Sequence, residues 1–132
     1  MPTVVLLGTL DTKGHEFDFL RTRVLAAGCE TILIDAGTLG EPLAVPDITR
    51  AEVAAAAGAD AATLATGGDR GVAIQTVANG ASLIVQRLFA ENKLHGIISL
   101  GGSGNATLAT QAMRALPVGV PSRIAVFGGI VG

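Results

Sequence analysis

Residues 4–14 read VVLLGTLDTKG, in which four aliphatic residues lead into a turn bounded by two glycines. The unbroken apolar run from Val4 to Leu7 is typical of a strand buried on both faces, as the strands of parallel sheets are. After Gly14, apolar residues recur at helical spacing. The stretch therefore predicts the strand, turn and helix that begin an α/β domain.

Short apolar runs predict three further strands, over residues 31–34, 96–100 and 123–127. Strands that alternate with helices imply right-handed crossovers and a sheet covered on both faces. We therefore predict the α/β class, with a three-layer, doubly wound parallel sheet of about four strands in the order 2-1-3-4, Rossmann-like or flavodoxin-like. The first helix is predicted to end at Gly28, and Phe17, Leu20, Val24 and Leu25 recur along it at helical spacing.

The crossover between the second and third strands is long. Residues 37–48 contain glycine and prolines, which predicts an irregular loop. Thr49 and Glu52 then have the spacing of a capping box, which predicts a helix start. A longer helix is predicted over residues 70–92, and Gly80 inside it indicates close packing, because glycine there costs about 1 kcal/mol relative to alanine.

The 132 residues fit one domain with a single core. The net charge is −2 and the nine basic residues are scattered, which argues against nonspecific binding to nucleic acid.

No span is long and apolar enough to cross a bilayer, so we expect no membrane partner and a cytoplasmic domain. The mean hydropathy of +0.55 exceeds what a small monomer needs for its core. We therefore expect a second copy or a further domain to cover apolar surface, as in a homo-oligomer.

Ligands of open parallel sheets bind beyond the carboxyl ends of the strands, where the order of connections reverses. In the predicted order, the turns after the first and third strands face each other there. Each turn leads into a helix whose first amides favour an anion, and glycine allows close approach. The sequence thus predicts a phosphate site. Its candidate residues are Gly8, Thr9, Asp11, Thr12 and Lys13 in the first turn and Gly101, Gly102, Ser103, Gly104, Asn105 and Thr107 in the second.

Two side chains of the first turn have specific predicted roles. Lys13 is interpreted as a phosphate ligand, and the alternative is a solvated surface lysine. Asp11 is interpreted as a metal or water ligand, and the alternative is a helix cap. Neither turn matches a standard fingerprint, since a Walker A loop has glycine before the lysine and not after it.

Two further candidates lie outside these turns. Asp69 and Arg70 open a helix within the glycine-rich residues 67–71, and the arginine could hold a phosphate by two hydrogen bonds. The alternative is a capping aspartate beside a solvated arginine. Asp35 ends the second strand, where a carboxylate can accept hydrogen bonds from ribose hydroxyls. The alternative is an ordinary carboxylate at a strand end.

Groups suited to catalysis are scarce. The chain has two histidines, His15 and His95, the residue type most often used for proton transfer, and His95 precedes the third strand, at the end opposite the predicted site. No histidines or cysteines have the spacing of a zinc site. A nucleotide can bring its own magnesium ion. Whether the domain is an enzyme therefore stays open.

Several motifs in one order resemble the amino-terminal subdomain of the Tm-1-like ATP-binding domain family, also named UPF0261. The resemblance implies that residues 1–132 form one nucleotide-binding subdomain of a longer architecture, that the cofactor is ATP, and that the protein self-associates. Plant relatives are linked to tobamovirus resistance through contact with viral replication proteins. The motifs lie at residues 8–14, 27–29, 34–35, 40–42, 54–58, 68–71, 100–104 and 115–121.

The third family motif usually continues with Gly-Thr, whereas Asn105 and Ala106 stand here. The Thr107 hydroxyl would then take the place of the hydroxyl that this threonine of the family supplies. Two alternatives to a nucleotide-binding domain remain. One is a protein-interaction or oligomerisation module, and the other is the half-site of an ATP-dependent enzyme whose catalytic groups lie outside this chain.

Overall fold

The fold is that of a computed structural model, in which residues 2–37, 40–60, 70–100, 103–117, 119–120 and 122–125 are described. Strands and helices alternate along most of this chain, as parallel sheets require. The elements are β1 (Thr3–Gly8), α1 (Leu10–Ala26), β2 (Glu30–Asp35), α2 (Arg50–Ala56), α3 (Arg70–Ala90), β3 (Gly96–Leu100), α4 (Ser103–Arg114) and β4 (Ser122–Ala125).

The strands form one parallel sheet in the order β2-β1-β3-β4. In this sheet Val5 of β1 lies between Ile32 of β2 and Ile97 of β3. The edge strand β4 pairs with β3 from Ile97 to Leu100. The predicted α/β class with a parallel sheet is confirmed. Residues 126–127, which the sequence assigns to the last strand, lie outside the described residues.

Side chains alternate between the two faces of each strand, and each face carries its own apolar cluster. On one face, Leu6 and Leu33 pack with Leu10 and Phe17 of α1. The other face is covered by α2, α3 and α4. Its cluster includes Val5, Leu7, Ile34, Val53, Val77, Val85, Ile97 and Leu108.

Helix α1 begins and ends close to where the sequence indicates, but its apolar periodicity continues beyond its buried part. Gly28 has a φ of +90° and follows the helix end. Phe17 is fully buried, whereas Leu25, which continues the same helical spacing, is 51% exposed. A helix of this length extends for about 25 Å and a strand of β1's length for about 20 Å. The last turn of α1 therefore projects beyond the strands on which the helix packs.

The predicted capping box is confirmed at the start of α2. The Thr49 hydroxyl accepts a hydrogen bond from the Glu52 amide at 3.2 Å, and the Glu52 carboxylate accepts one from the Thr49 amide at 2.9 Å. Two amides that lack partners in the helix are thereby satisfied.

Helix α2 packs against α3 at Gly80, as the glycine inside α3 indicates. A methyl group at Gly80 would overlap the backbone carbonyl oxygen of Val53 in α2. Because that oxygen belongs to the backbone, the two helices would have to separate to admit it. Glycine at position 80 thus allows the close approach of α2 and α3.

None of the helices in the described ranges combines the length and the apolar character that a membrane span needs.

We expect Gly80→Ala to lower the free energy of unfolding by about 2 kcal/mol. Overpacking a helix contact costs roughly 1–3 kcal/mol, and this exceeds the gain of up to about 1 kcal/mol in helix propensity. Urea denaturation followed by circular dichroism measures the change.

Gly71→Ala is the matched control, because Gly71 is an exposed residue of the same helix. It should leave stability unchanged or raise it. Equal stability of both variants would contradict the close contact at Gly80.

Candidate functional site

The two glycine-rich turns begin at the same edge of the sheet. Strands β1 and β3 are parallel neighbours, with Leu7 opposite Ser99. Gly8 and Leu100 therefore end side by side at the carboxyl edge, and α1 and α4 begin just beyond them. Since these two helices cover opposite faces, the gap between β1 and β3 is the point where the order of connections reverses.

The first turn is not a simple helix start. Lys13 has φ −124° and ψ 20°, which interrupts the helical geometry of α1. The amides of Thr12 and Lys13 both donate to the Thr9 carbonyl, at 3.2 and 2.9 Å. The Thr9 and Thr12 hydroxyl oxygens lie 2.7 Å apart. The turn thus carries two paired hydroxyls, followed by a lysine at the interruption.

The Lys13 side chain is largely covered but keeps access to solvent. Its exposed fraction is 25%, and its amine lies 4.0 Å from a carboxylate oxygen of Glu16. An ion pair of this length between accessible side chains contributes little to stability. Lys13 therefore carries a charge at the edge of the sheet that no strong partner holds among the described residues.

Asp35 is buried, with only 1% of its surface exposed. One carboxylate oxygen accepts hydrogen bonds from the Gly37 amide at 2.8 Å and the Leu10 amide at 3.4 Å. The other lies 2.9 Å from Nε of Arg50. Asp35 therefore joins the end of β2, the start of α1 and the start of α2.

Arg50 is the residue of this edge that sequence reasoning missed. Beyond its ion pair with Asp35, its Nη1 donates to the Gly40 carbonyl at 2.5 Å. Its Nη2 is buried and finds no hydrogen-bond partner within the described part of the chain. The signal that could have found Arg50 is the need of a buried carboxylate for a cationic partner. A helix that begins beside the same sheet edge can supply one.

Residues 40–43, in the loop that leads from β2 to α2, lie over the first turn of α1. The Gly40 amide donates to Asp11 at 3.1 Å, and the Leu43 amide donates to the Leu10 carbonyl at 2.9 Å. Leu43 lies so close to Gly14 that a methyl group there would sit 2.5 Å from the Leu43 Cβ. This contact explains why position 14 is a glycine, since any side chain there would clash with Leu43. Asp11, predicted as a metal or water ligand, contacts the loop.

The remaining predicted residues are described less fully. Ser103, Gly104, Asn105 and Thr107 form the first turns of α4, and Arg70 begins α3, with only their backbones described. Asp69, Gly101 and Gly102 lie outside the described residues. The roles predicted for these residues stay predictions.

The two histidines lie at opposite ends of the sheet. His95 Nδ1 accepts a hydrogen bond from the Thr3 amide at 2.9 Å, at the amino edge. His15 is exposed on α1, near the carboxyl edge. Nowhere in the described ranges do three or more histidine, cysteine, aspartate or glutamate side chains gather in a way that could hold a metal ion.

We expect Arg50→Met to lower the free energy of unfolding by about 3 kcal/mol, because it leaves the buried Asp35 carboxylate without a cation. The double variant Asp35→Asn/Arg50→Met should recover most of the loss, since no charge then remains buried. Urea denaturation of wild type and of both variants measures this coupling.

Arg87→Met serves as the control, because Arg87 is exposed on α3. Its effect should stay within about 0.5 kcal/mol. A double variant no more stable than Arg50→Met alone would contradict the ion pair's role.

Comparison with known proteins places this architecture in a family. Residues 2–126 match the model described as the N-terminal domain of the uncharacterised protein family UPF0261. A UPF0261 protein of Clostridium tetani is 47% identical over 118 residues, which are 89% of this chain and 29% of that protein. One of Rhizobium meliloti is 36% identical over 121 residues, covering 92% of this chain and 29% of that protein.

A more distant similarity links the chain to a plant protein. The tomato (Solanum lycopersicum) ToMV susceptible protein tm-1(GCR26) is 38% identical over 55 residues, which are 42% of this chain and 7% of that protein. The chain spans about 29% of the length of the two bacterial relatives. With the family model matching nearly its whole length, the chain belongs to the UPF0261 family and corresponds to its N-terminal domain.

Proposed function

We propose that the domain binds a nucleoside triphosphate, ATP, whose phosphates lie between the turns that follow β1 and β3. The adjacency of these parallel strands carries the proposal, because it brings two glycine-rich turns and the starts of two helices to one edge. A helix start attracts an anion through its free amides and its dipole. The doubly wound, Rossmann-like arrangement is part of the same proposal, and helices on both faces of the sheet support it.

The two turns contribute unequally to this proposal. The Leu10 amide already donates to Asp35, so the first turn offers the phosphates mainly the hydroxyls of Thr9 and Thr12 and the charge of Lys13. The second turn offers the start of α4, with the Ser103 and Thr107 hydroxyls supplied by its sequence. A magnesium ion would arrive with the nucleotide and share its phosphate oxygens.

The buried carboxylate near this edge does not oppose an incoming phosphate. Asp35 is paired with Arg50 at 2.9 Å, so the two side chains together carry no net charge. Since Asp35 is 1% exposed, it offers a ribose hydroxyl almost no accessible surface. We therefore propose that Asp35 fixes the start of α1 and that the ribose binds elsewhere.

We expect Lys13→Ala to weaken ATP binding by roughly one to two orders of magnitude, because a charged hydrogen bond to phosphate contributes on the order of 1.5–3 kcal/mol. Isothermal titration calorimetry of ATP with magnesium measures both affinities. Lys93→Ala is the control, since Lys93 is 61% exposed in its side chain and lies at the opposite edge, before β3. Unchanged affinity of Lys13→Ala would remove Lys13 from the site, and a wild-type chain that does not bind ATP would refute the proposal.

A second candidate function is self-association through α3. The sixteen residues from position 71 to 86 carry no charged side chain, although Val72 and Leu83 are 59% and 51% exposed. The amides of Gln75, Asn79 and Gln111 join α3 to α4 by hydrogen bonds of 2.7 to 3.1 Å. In a twofold dimer the same surface of both copies is in contact, so each residue lies near its own copy or near the copy of an adjacent residue. Side-chain amides can pair with one another in such an interface, since each both donates and accepts hydrogen bonds, whereas identical charges would repel.

We expect Leu83→Glu to convert a dimer of this chain to a monomer, because the new carboxylates would lie across the twofold interface. Multi-angle light scattering at several concentrations measures the mass. Leu25→Glu is the matched control, since Leu25 is equally exposed at 51% but lies on α1, on the other face. A wild-type chain that is monomeric throughout would rule out this interface.

A further inference from the structure

An apolar cleft of about 410 Å³ opens beside the proposed phosphate site. It lies on the α1 face of the sheet, between that helix and the end of β3. The lining residues are His15, Glu16, Phe19, Leu20 and Leu100. His15 follows Lys13 by two positions, and Leu100 immediately precedes the second glycine-rich turn. The cleft thus adjoins both turns that the proposed phosphates would contact.

Phe19 is unusual among the residues of this cleft. It is 68% exposed, in a chain that has four phenylalanines and neither tryptophan nor tyrosine. A phenylalanine ring in contact with water leaves apolar area uncovered, and a flat aromatic ligand stacked on it would cover that area. Leu20, which is half-buried, and the buried Leu100 line the same cleft.

The polar groups of the cleft are few and lie on one helical turn. His15 and Glu16 can hydrogen-bond with the edge of a ligand, whereas the other lining side chains cannot. Small-molecule sites commonly have this make-up, with apolar walls, a few polar groups and a volume of roughly 300–1,000 Å³. A planar heterocycle with a hydrogen-bonding edge matches it, because its faces are apolar and its edge is polar.

We propose that this cleft holds the base of the nucleotide, with Phe19 stacked on the ring and His15 or Glu16 at its edge. The inference rests on the proposed function, because the phosphates must lie at the two turns. From Gly14 to Phe19, α1 rises by about 8 Å. The ribose bridges this interval, so one extended nucleotide contacts Lys13 with its phosphates and Phe19 with its base.

The test compares ATP with inorganic triphosphate, which has phosphates but no base. Both are titrated calorimetrically, with magnesium, against wild type, Phe19→Ala and Phe89→Ala. Phe19→Ala should weaken ATP binding roughly tenfold, as the loss of aromatic stacking does for single bases, and leave triphosphate affinity unchanged. Phe89→Ala should alter neither affinity, because Phe89 is 39% exposed on α3, at the other face of the sheet.

The outcomes separate this inference from the proposed function. If wild type binds ATP and triphosphate, and Phe19→Ala binds ATP as wild type does, the base lies elsewhere and only the present inference fails. If wild type binds neither ligand, both fail. Lys13→Ala should weaken both ligands alike, which distinguishes a phosphate contact from a base contact.

A second variant guards against a folding defect. Phe19→Leu keeps an apolar side chain at the position and removes the aromatic ring. It should retain the thermal unfolding midpoint of wild type and still weaken ATP binding several-fold. Full ATP affinity in Phe19→Leu would overturn the stacking arrangement.

Discussion

A carboxylate buried at the end of β2 must be neutralised within the protein, and the carboxyl edge of the sheet is arranged around that requirement. Asp35 is 1% exposed and would be strongly destabilising without a cation. Arg50 supplies the cation at 2.9 Å and also bonds to the Gly40 carbonyl. The pair therefore fixes the start of α2 and part of the preceding loop relative to β2.

The shape of the first turn follows from the same constraint. Because Asp35 also accepts the Leu10 amide, the start of α1 is tied to the end of β2. The loop held by Arg50 then lies over α1, where Leu43 packs on Gly14 and leaves no space for a side chain. The interruption of the helix at Lys13 lies within this covered segment. Thr9, Thr12 and Lys13 follow β1 at this edge of the sheet.

Local signals in the sequence were sufficient for much of the fold. The aliphatic run before Gly8 predicts a strand buried on both faces, and the Thr49 and Glu52 spacing predicts a helix start, since both depend on neighbouring residues only. Gly80 indicates a close contact but not its partner, Val53, which is distant in sequence. Leu25 continues the apolar spacing of α1 and is nevertheless exposed, because periodicity does not report where the underlying strands end. Arg50, the loop over α1 and the cleft at Phe19 arise from contacts between elements, which no local pattern specifies.

The ion pair of Lys13 with Glu16 bears on how the edge would receive a ligand. The two charged groups lie 4.0 Å apart on partly exposed side chains, and such pairs contribute about 0–1 kcal/mol. A charged hydrogen bond from lysine to phosphate contributes on the order of 1.5–3 kcal/mol. Exchange of Glu16 for a phosphate oxygen therefore favours the ligand. The exchange would also release the Glu16 carboxylate beside the cleft, where it can accept a hydrogen bond from an amino group on a base. One weak ion pair thus connects the two halves of the proposed site.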